Sequence, residues 1–349
     1  MNPAGPTNVF HPTTALITGA LGQDRAYLGE LALRHGCTVS GGVRGAARVV
    51  GSERAWRLRH LGIEQRLVWA ELDLRDAHSI DAALRAHQPD VVFNLAAQSS
   101  VRVSFDSPLE TAETNAMGAL RPFEAARRAP WPVRVVQAAS ADILAADLDG
   151  AVRAASPYAA SKAFAHLMAR VYRESLGVFV SSAVLYNHES PLRGREFVTH
   201  KIVTALVKIR AGKQNQLALG NLDAQRDWSH ARDIADGLWR IATAQHPGET
   251  MLGSGCAHSV REFVELAARA LGMRLRWQGT VLQESALDED TGRTVVALDA
   301  EHFRPADTSH DAADLTRARA LGFEPRTSLD AMIAEMIQFE IDREQRSPP

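Results

Sequence analysis

The chain has 349 residues, 46% of them hydrophobic and 23% charged, enough for a full core in one large or two interleaved domains. A formal net charge of −2 gives no global field to recruit nucleic acid or an anionic membrane, and no apolar run reaches the length of a membrane span. The two cysteines, Cys37 and Cys256, make no metal-type spacing and no disulfide framework, so no metal is expected and a reducing cytoplasm fits best.

The opening residues, "MNPAGPTNVFHPTT", lack the charged and apolar regions of a signal peptide. "TALITG" then reads as a buried strand, and residues 23–35 as a helix that Gly36 is placed to end. "CTVSGGV" is the second strand, followed by an Arg-rich stretch over 44–59, the strand "RLVWAELDL" and a helix over 76–87. "DVVFNLAA", "VRVVQAAS" and "VFVSSAVLY" are further apolar runs, each separated from the next by a long helical segment. Strands alternating with helices predict an α/β fold with a doubly wound parallel sheet covered on both faces, over residues 1–186. Beyond Tyr186, polar stretches rich in Gly, Pro and Arg break up shorter elements. Residues 187–349 are therefore expected to form a smaller substrate lobe over the carboxyl ends of the strands, with about 226–255 packing back on the sheet. The last residues, "DREQRSPP", are expected to fray.

Gly19 and Gly22 stand where the first strand hands over to a helix, offering backbone N–H groups to an anion. A dinucleotide fingerprint would place a third glycine at Arg25. In the first helical turn Arg25 needs no unusual backbone angle, so its cost is steric; its guanidinium can pair with phosphate oxygens or bend to solvent. No acidic residue occurs between Leu31 and Ser52, whereas Arg44 and Arg48 do. That suits a 2′-phosphate, hence NADP over NAD, against the plainer reading of a solvated basic loop.

In "SPYAASK", Tyr158 and Lys162 are four residues apart and share a helix face. A nearby ammonium stabilises phenolate and lets a tyrosine exchange a proton with a substrate hydroxyl. Ser140 and Asp142, in "QAASAD", end a strand just upstream, where their plainer role is to cap a turn.

At these residues the chain resembles the extended short-chain dehydrogenase/reductase superfamily, and more closely the GDP-mannose 4,6-dehydratases, from about residue 14 to 329. The stretches "TGALGQD", "NLAAQSSVRVSF", "SPYAASK", "NHESPLRGREFVTHKI", "LGNLDAQRDWSHARD", "SVREFVELA" and "HFRPAD" carry the likeness. The resemblance implies NADP-dependent loss of water from a GDP-hexose, GDP-mannose or a relative such as a GDP-heptose. Tyr158, aided by Lys162 and Ser140, would take the 4-hydroxyl proton while hydride goes to the cofactor. Asp142 would take the carbon-5 proton before the 6-hydroxyl leaves. It further implies cofactor contacts at Gly19, Gly22, Gln23, Asp24, Arg44, Asp73, Leu74, Leu95, Ala96 and Ala97, with Tyr158 and Lys162 beside the nicotinamide. Substrate contacts would fall on Ser99, Asn187, Val198, Lys201, Asn221, Arg226, Arg304 and Asp307, with Arg226 and Arg304 on the diphosphate. A homodimer or homotetramer is expected by analogy, through the helices that follow Pro108 and Tyr158.

The sequence also departs from the family pattern. Arg25 replaces the third loop glycine, Gly45 the second arginine after the second strand, and Ser140-Ala141-Asp142 the catalytic Thr-Ser-Glu. Leu144-Ala145 replaces a Tyr-Gly, and the loop from there to Tyr158 is shorter. Asp142 reaches one methylene less far than glutamate, and a misplacement of about 1 Å can cost roughly a hundredfold in rate. Two alternatives follow: a GDP-4-keto-sugar reductase or epimerase of the same fold, and a non-catalytic GDP-sugar-binding homologue.

Overall fold

A computed structural model describes residues 10–144, 155–280, 283–299 and 312–346. The chain divides into two compact units, the first made of Met1–Leu185, Ile234–Leu252 and Asp314–Glu324. Its seven strands are β1 (Thr14–Thr18), β2 (Thr38–Val43), β3 (Val68–Glu71), β4 (Val91–Asn94), β5 (Arg134–Ser140), β6 (Val180–Leu185) and β7 (Glu249–Leu252). They form one all-parallel sheet in the order β7-β6-β5-β4-β1-β2-β3. All four residues of β4 and the middle five of β5 are buried, as a sheet covered on both faces requires.

The chain runs outward from β1 to β3 and then returns to pair β4 against β1. That reversal opens a crevice at the carboxyl ends of β1 and β4, the place where such sheets bind ligands. The covering helices start from local signals. Asp76 caps Ala77–His87 by accepting from the His78 N–H at 2.9 Å, and Gln88 ends it in a left-handed conformation at φ 40°. Phe123 and Tyr172 pack edge to face, 5.5 Å between ring centres, in the core under one face. A π-turn over Glu113–Met117 interrupts the helical path between Pro108–Ala112 and Gly118–Arg128; single π-turns of this kind are common beside functional sites.

The second unit comprises Tyr186–Asp233, Gly253–Ala313 and Pro325–Pro349. It holds a three-stranded sheet (Asn187–Glu189, Gln225–His230, Ala257–Ser259) and a four-stranded one (Leu217–Leu219, Leu275–Gln278, Ser285–Asp288, Thr294–Leu298). The helices Val198–Arg210, Val260–Ala270 and Leu329–Arg346 bury one apolar cluster, with Trp228 edge-on to Phe263 at 5.1 Å. Asp227, fully buried, accepts from the N–H groups of Ser254, Gly255 and Ala313 and from the Ser254 hydroxyl. Among the described residues no helix is long and apolar enough to cross a membrane.

Candidate active site

Helix Pro157–Glu174 begins where Ser156 accepts from the Ala159 N–H at 3.1 Å and Pro157 occupies the first turn. This start places Tyr158 and Lys162 on one face. Both are buried, and Lys162 Nζ lies 6.0 Å from the centre of the Tyr158 ring. Nζ donates to the Ala138 carbonyl of β5 at 2.9 Å. Burial, and then the charge of Arg25, push the Lys162 ammonium down to about 8.

At the end of β5, Ser140 Oγ accepts from the Asp142 N–H at 3.3 Å. The expected turn-capping role of Ser140 is thus real. A hydroxyl has further hydrogen-bonding capacity, so capping and a substrate contact are compatible. Asp142 sits half-buried in the short 3-10 turn Ala141–Leu144.

A line of buried polar side chains crosses the sheet beneath this site. Thr18 Oγ1, at the end of β1, accepts from the N–H groups of Leu95 and Ala96, both at 3.0 Å, and donates to Asn94 Oδ1 at 2.9 Å. Asn94 Nδ2 donates to Gln137 Oε1 at 2.7 Å, and Gln137 Nε2 to the same Ala138 carbonyl that receives Lys162. Asn115, presented by the π-turn, donates to the Gln98 carbonyl and the Ser161 hydroxyl and accepts from the Gln98 N–H. It thereby ties the loop of residues 95–100 to the helix that carries Tyr158. None of these four residues was singled out from the sequence. The available signal was one polar residue at or near the end of each apolar run in "ALIT", "VVFN" and "VVQAA".

A cleft of about 410 Å³ opens at the crevice, lined by Gly19, Gly22, Arg25, Gly42, Arg44, Arg54, Asp73, Leu74, Ala96 and Ala97, among others. Gly19 has φ +65° and donates to the Gly42 carbonyl at 2.7 Å, and a Cβ there would press on Ala96 at 3.0 Å. Glycine is needed on both counts. Gly22 is the N-terminal cap residue of helix Gln23–Arg34, with buried Gln23 and half-buried Asp24 next to it. Leu95 is buried, Ala96 and Ala97 are half-buried, and Ser99 is exposed on the same loop. A helix N-terminus at Gly22, beside the Gly19 turn and with arginines along the cleft, fits the anionic part of a dinucleotide.

Arg25 does not bend to solvent. Its Nη2 donates to the Leu95 carbonyl, and its guanidinium lies in the space that a Cβ on Gly22 would take. Arg44 is exposed at the cleft, and its carbonyl receives both Nη1 and Nη2 of Arg54 at 3.2 Å. Arg54 and Arg75 line the cleft along with Arg25 and Arg44, whereas Arg48 does not. An acid does approach this loop, from β3. Glu71 accepts from the N–H groups of Gly45 and Ala46, which hold its carboxyl below the usual range. Both of its oxygens are engaged in shaping the loop. Asp73 is bound by Arg75 at 2.8 Å, which lowers its carboxyl in the same way.

In the second unit, Asn187 pairs with Trp228 across the three-stranded sheet, two residues from Arg226 on the same neighbouring strand. Arg226 lies opposite His258 and donates from Nη1 to the Gln225 carbonyl at 2.7 Å. Val198 and Lys201 occupy the first turn of Val198–Arg210. Burial lowers the Lys201 ammonium, while Asp299 acts against that shift. Asn221 follows the strand Leu217–Leu219 and accepts from the Asp223 N–H at 3.0 Å. Arg304 and Asp307 lie outside the described residues. Among the described residues no cluster of His, Cys, Asp or Glu could hold a metal ion.

The sequence profile of the GDP-mannose 4,6 dehydratase family matches residues 16–336. The chain belongs to that family. A GDP-mannose 4,6-dehydratase from Sinorhizobium fredii (strain HH103) is 39% identical over 341 residues, 94% of this chain and 96% of that one. The GDP-mannose 4,6 dehydratase of Homo sapiens is 32% identical over 349 residues, 96% and 93% of the two chains. A dTDP-glucose 4,6-dehydratase from Streptomyces venezuelae, solved with NAD and TYD bound, superposes with a TM-score of 0.75 over 95% of this chain and 98% of that one. At 21% identity this last likeness is one of fold. Against the pattern of the GDP-mannose 4,6-dehydratase family, Gly45 has a local reason. Its φ of +72° is a left-handed turn that brings its N–H onto Glu71, a conformation that disfavours arginine.

Proposed function

We propose that this chain is an NADP-dependent 4,6-dehydratase of a GDP-hexose, GDP-mannose or a close relative such as a GDP-heptose, yielding the GDP-4-keto-6-deoxy sugar. The observation that carries the reading is the buried Tyr158/Lys162 pair, anchored on the Ala138 carbonyl at the carboxyl edge of a sheet whose adjoining crevice fits a dinucleotide. Tyr158 takes the 4-hydroxyl proton, the Lys162 ammonium stabilises the phenolate before that step, and Ser140 hydrogen-bonds the same sugar oxygen. Asp142 takes the proton from carbon 5 and passes it to the departing 6-hydroxyl, so that water leaves. When hydride returns to carbon 6, carbon 5 takes up a proton from solvent, and Tyr158 releases to solvent the one it took from the 4-hydroxyl. A nicotinamide held beside Tyr158 and Lys162 would supply a reversible hydride acceptor for carbon 4 and donor for carbon 6, so that no net oxidant is consumed.

Arg44, with Arg54 beside it and both oxygens of Glu71 engaged elsewhere, supports a 2′-phosphate, hence NADP. Gln23, Asp24, Asp73, Leu74, Leu95, Ala96 and Ala97 are assigned to the cofactor by the motif positions they hold. Ser99, Asn187, Val198, Lys201, Asn221, Arg226, Arg304 and Asp307 are assigned in the same way to the GDP-sugar. A second copy of the chain is proposed to cover Phe105, Leu109, Phe164, Leu167 and Val171, large apolar side chains exposed on neighbouring helices. The reaction is placed in the cytoplasm.

Incubation of the pure protein with GDP-mannose and NADP tests the reading by mass spectrometry. The expected product is lighter by one water, and carries deuterium at carbon 5 when made in heavy water. Unchanged GDP-mannose alongside reduction of a supplied GDP-4-keto-sugar would refute it in favour of a reductase.

A further inference from the structure

The two glycines of a dinucleotide turn leave backbone bare so that a pyrophosphate can come up against it. Here that bare surface is already covered by a cation. Arg25 projects from the first turn of helix Gln23–Arg34, yet its side chain folds back over the turn. Nη1, Cζ and Cδ cover the face of Gly22 that lacks a Cβ, and Nε is 3.5 Å from where a Cβ on Gly19 would stand. Nη2 donates to the Leu95 carbonyl, just past the end of β4. Nε is buried and has no hydrogen-bond partner among the described residues. The guanidinium, with five donors, bonds the neutral Leu95 carbonyl and feels the charge of Asp24, in a cleft whose helix N-terminus favours an anion.

We propose that Arg25 is a diphosphate ligand parked on a backbone carbonyl: the entering dinucleotide takes the place of the guanidinium over Gly22, and Arg25 turns from Leu95 to the diphosphate oxygens. The proposal rests on the dinucleotide reading of this cleft. Its physical basis is an exchange of partners. Charge-assisted bonds to phosphate are roughly twice as strong as neutral ones, and a fork of N–H groups meets two oxygens where it had met one. The buried Nε gains an acceptor in the same movement. The substitution at the third fingerprint position thus replaces close helix–sheet packing with a mobile positive charge. Arg25 binds and orients; the proton transfers remain with Tyr158 and Asp142.

Calorimetric titration of the full-length protein, its Arg25→Gly and Arg25→Lys variants, with NADP and with 2′-AMP, tests this. Far-UV circular dichroism and thermal melts serve as the folding control. Expected is a loss of at least tenfold in NADP affinity for Arg25→Gly and partial recovery in Arg25→Lys. The 2′-AMP affinity, which involves no diphosphate, should stay within twofold. The NADP affinity of the parent should also fall more steeply with salt than that of Arg25→Gly. A second readout needs no turnover: inorganic pyrophosphate should shift the Arg25 Nε resonance in ¹⁵N-arginine-labelled protein. NADP binding to Arg25→Gly as tight as to the parent, or tighter, overturns the proposal. If the parent binds no dinucleotide but Arg25→Gly does, the guanidinium is an obstacle, and the proposal fails while the cofactor reading stands. If neither binds, the cofactor reading fails and takes this proposal with it.

Discussion

Replacing Thr18 with valine keeps the shape of a side chain only 1% exposed while deleting one hydroxyl. That hydroxyl accepts from two N–H groups, Leu95 and Ala96, and donates to Asn94. An unsatisfied buried donor costs about 1–3 kcal/mol. Leu95 is buried and bears that cost in full, whereas Ala96 is half-buried and recovers part of it from water. The Asn94 oxygen loses a partner as well. The expected destabilisation is therefore about 2–4 kcal/mol. Thr18→Ser, which keeps the hydroxyl and loses a methyl group, should cost about 1 kcal/mol. Urea unfolding followed by tryptophan fluorescence and circular dichroism measures both, with equal slopes required for the midpoints to be compared. The same hydroxyl holds the loop that carries Leu95, Ala96 and Ala97 along the cleft, so NADP affinity should fall for Thr18→Val and remain for Thr18→Ser. A loss below about 1 kcal/mol for Thr18→Val would show that these N–H groups find other partners, and the idea of a rigid polar line under the site would go with it.

Arg44→Ala should weaken NADP more than NAD and so narrow the preference between them; equal affinities in the parent would remove the 2′-phosphate assignment. Asp142→Asn should abolish loss of water while leaving NADP and GDP binding nearly intact, and Asp142→Glu should match or exceed the parent rate. Dehydration by Asp142→Asn at the parent rate would reduce Asp142 to a turn residue. Because the Lys162 ammonium is lowered from 10.5 to about 8, dehydration should decline above about pH 8 as that charge is lost, and a flat profile to pH 10 would contradict the phenolate role. The sign for stability is opposite: between about 8 and 10.5 the folded state binds fewer protons at Lys162 than the unfolded chain, so this group makes stability rise with pH across that window.

The parts of the site that were legible in the sequence are those written in local spacing. Tyr158 and Lys162 share a face because a helix repeats every 3.6 residues, and Gly19 and Gly22 signal a turn because they sit between a strand and a helix. The alternation of apolar runs and helical stretches was likewise enough to indicate the doubly wound parallel sheet. What could not be read depends on partners far away in the chain. Thr18 meets Leu95 across 77 positions, Asn94 meets Gln137 across 43, and Glu71 reaches Gly45 across 26. No periodicity reports such pairs. Arg25 illustrates a different limit, since an arginine in a first helical turn is sterically free to face either way. Its inward course was decided by a carbonyl 70 residues along and by the bare face of Gly22.

The position of β7 in the sheet also bears on how the chain is made. β6 ends at Leu185, yet the strand that pairs with its outer edge, β7, ends at Leu252. At about 5–20 residues per second, a ribosome takes roughly 3–13 s to add the chain between those points. Throughout that interval β6 presents a row of unpaired N–H and C=O groups, within a run whose first five residues are all buried in the finished fold. A sheet that assembled strand by strand as it emerged would therefore carry an open, apolar edge for seconds before its own later segment closed it. That exposure sets a need for shielding during synthesis that the folded molecule no longer displays.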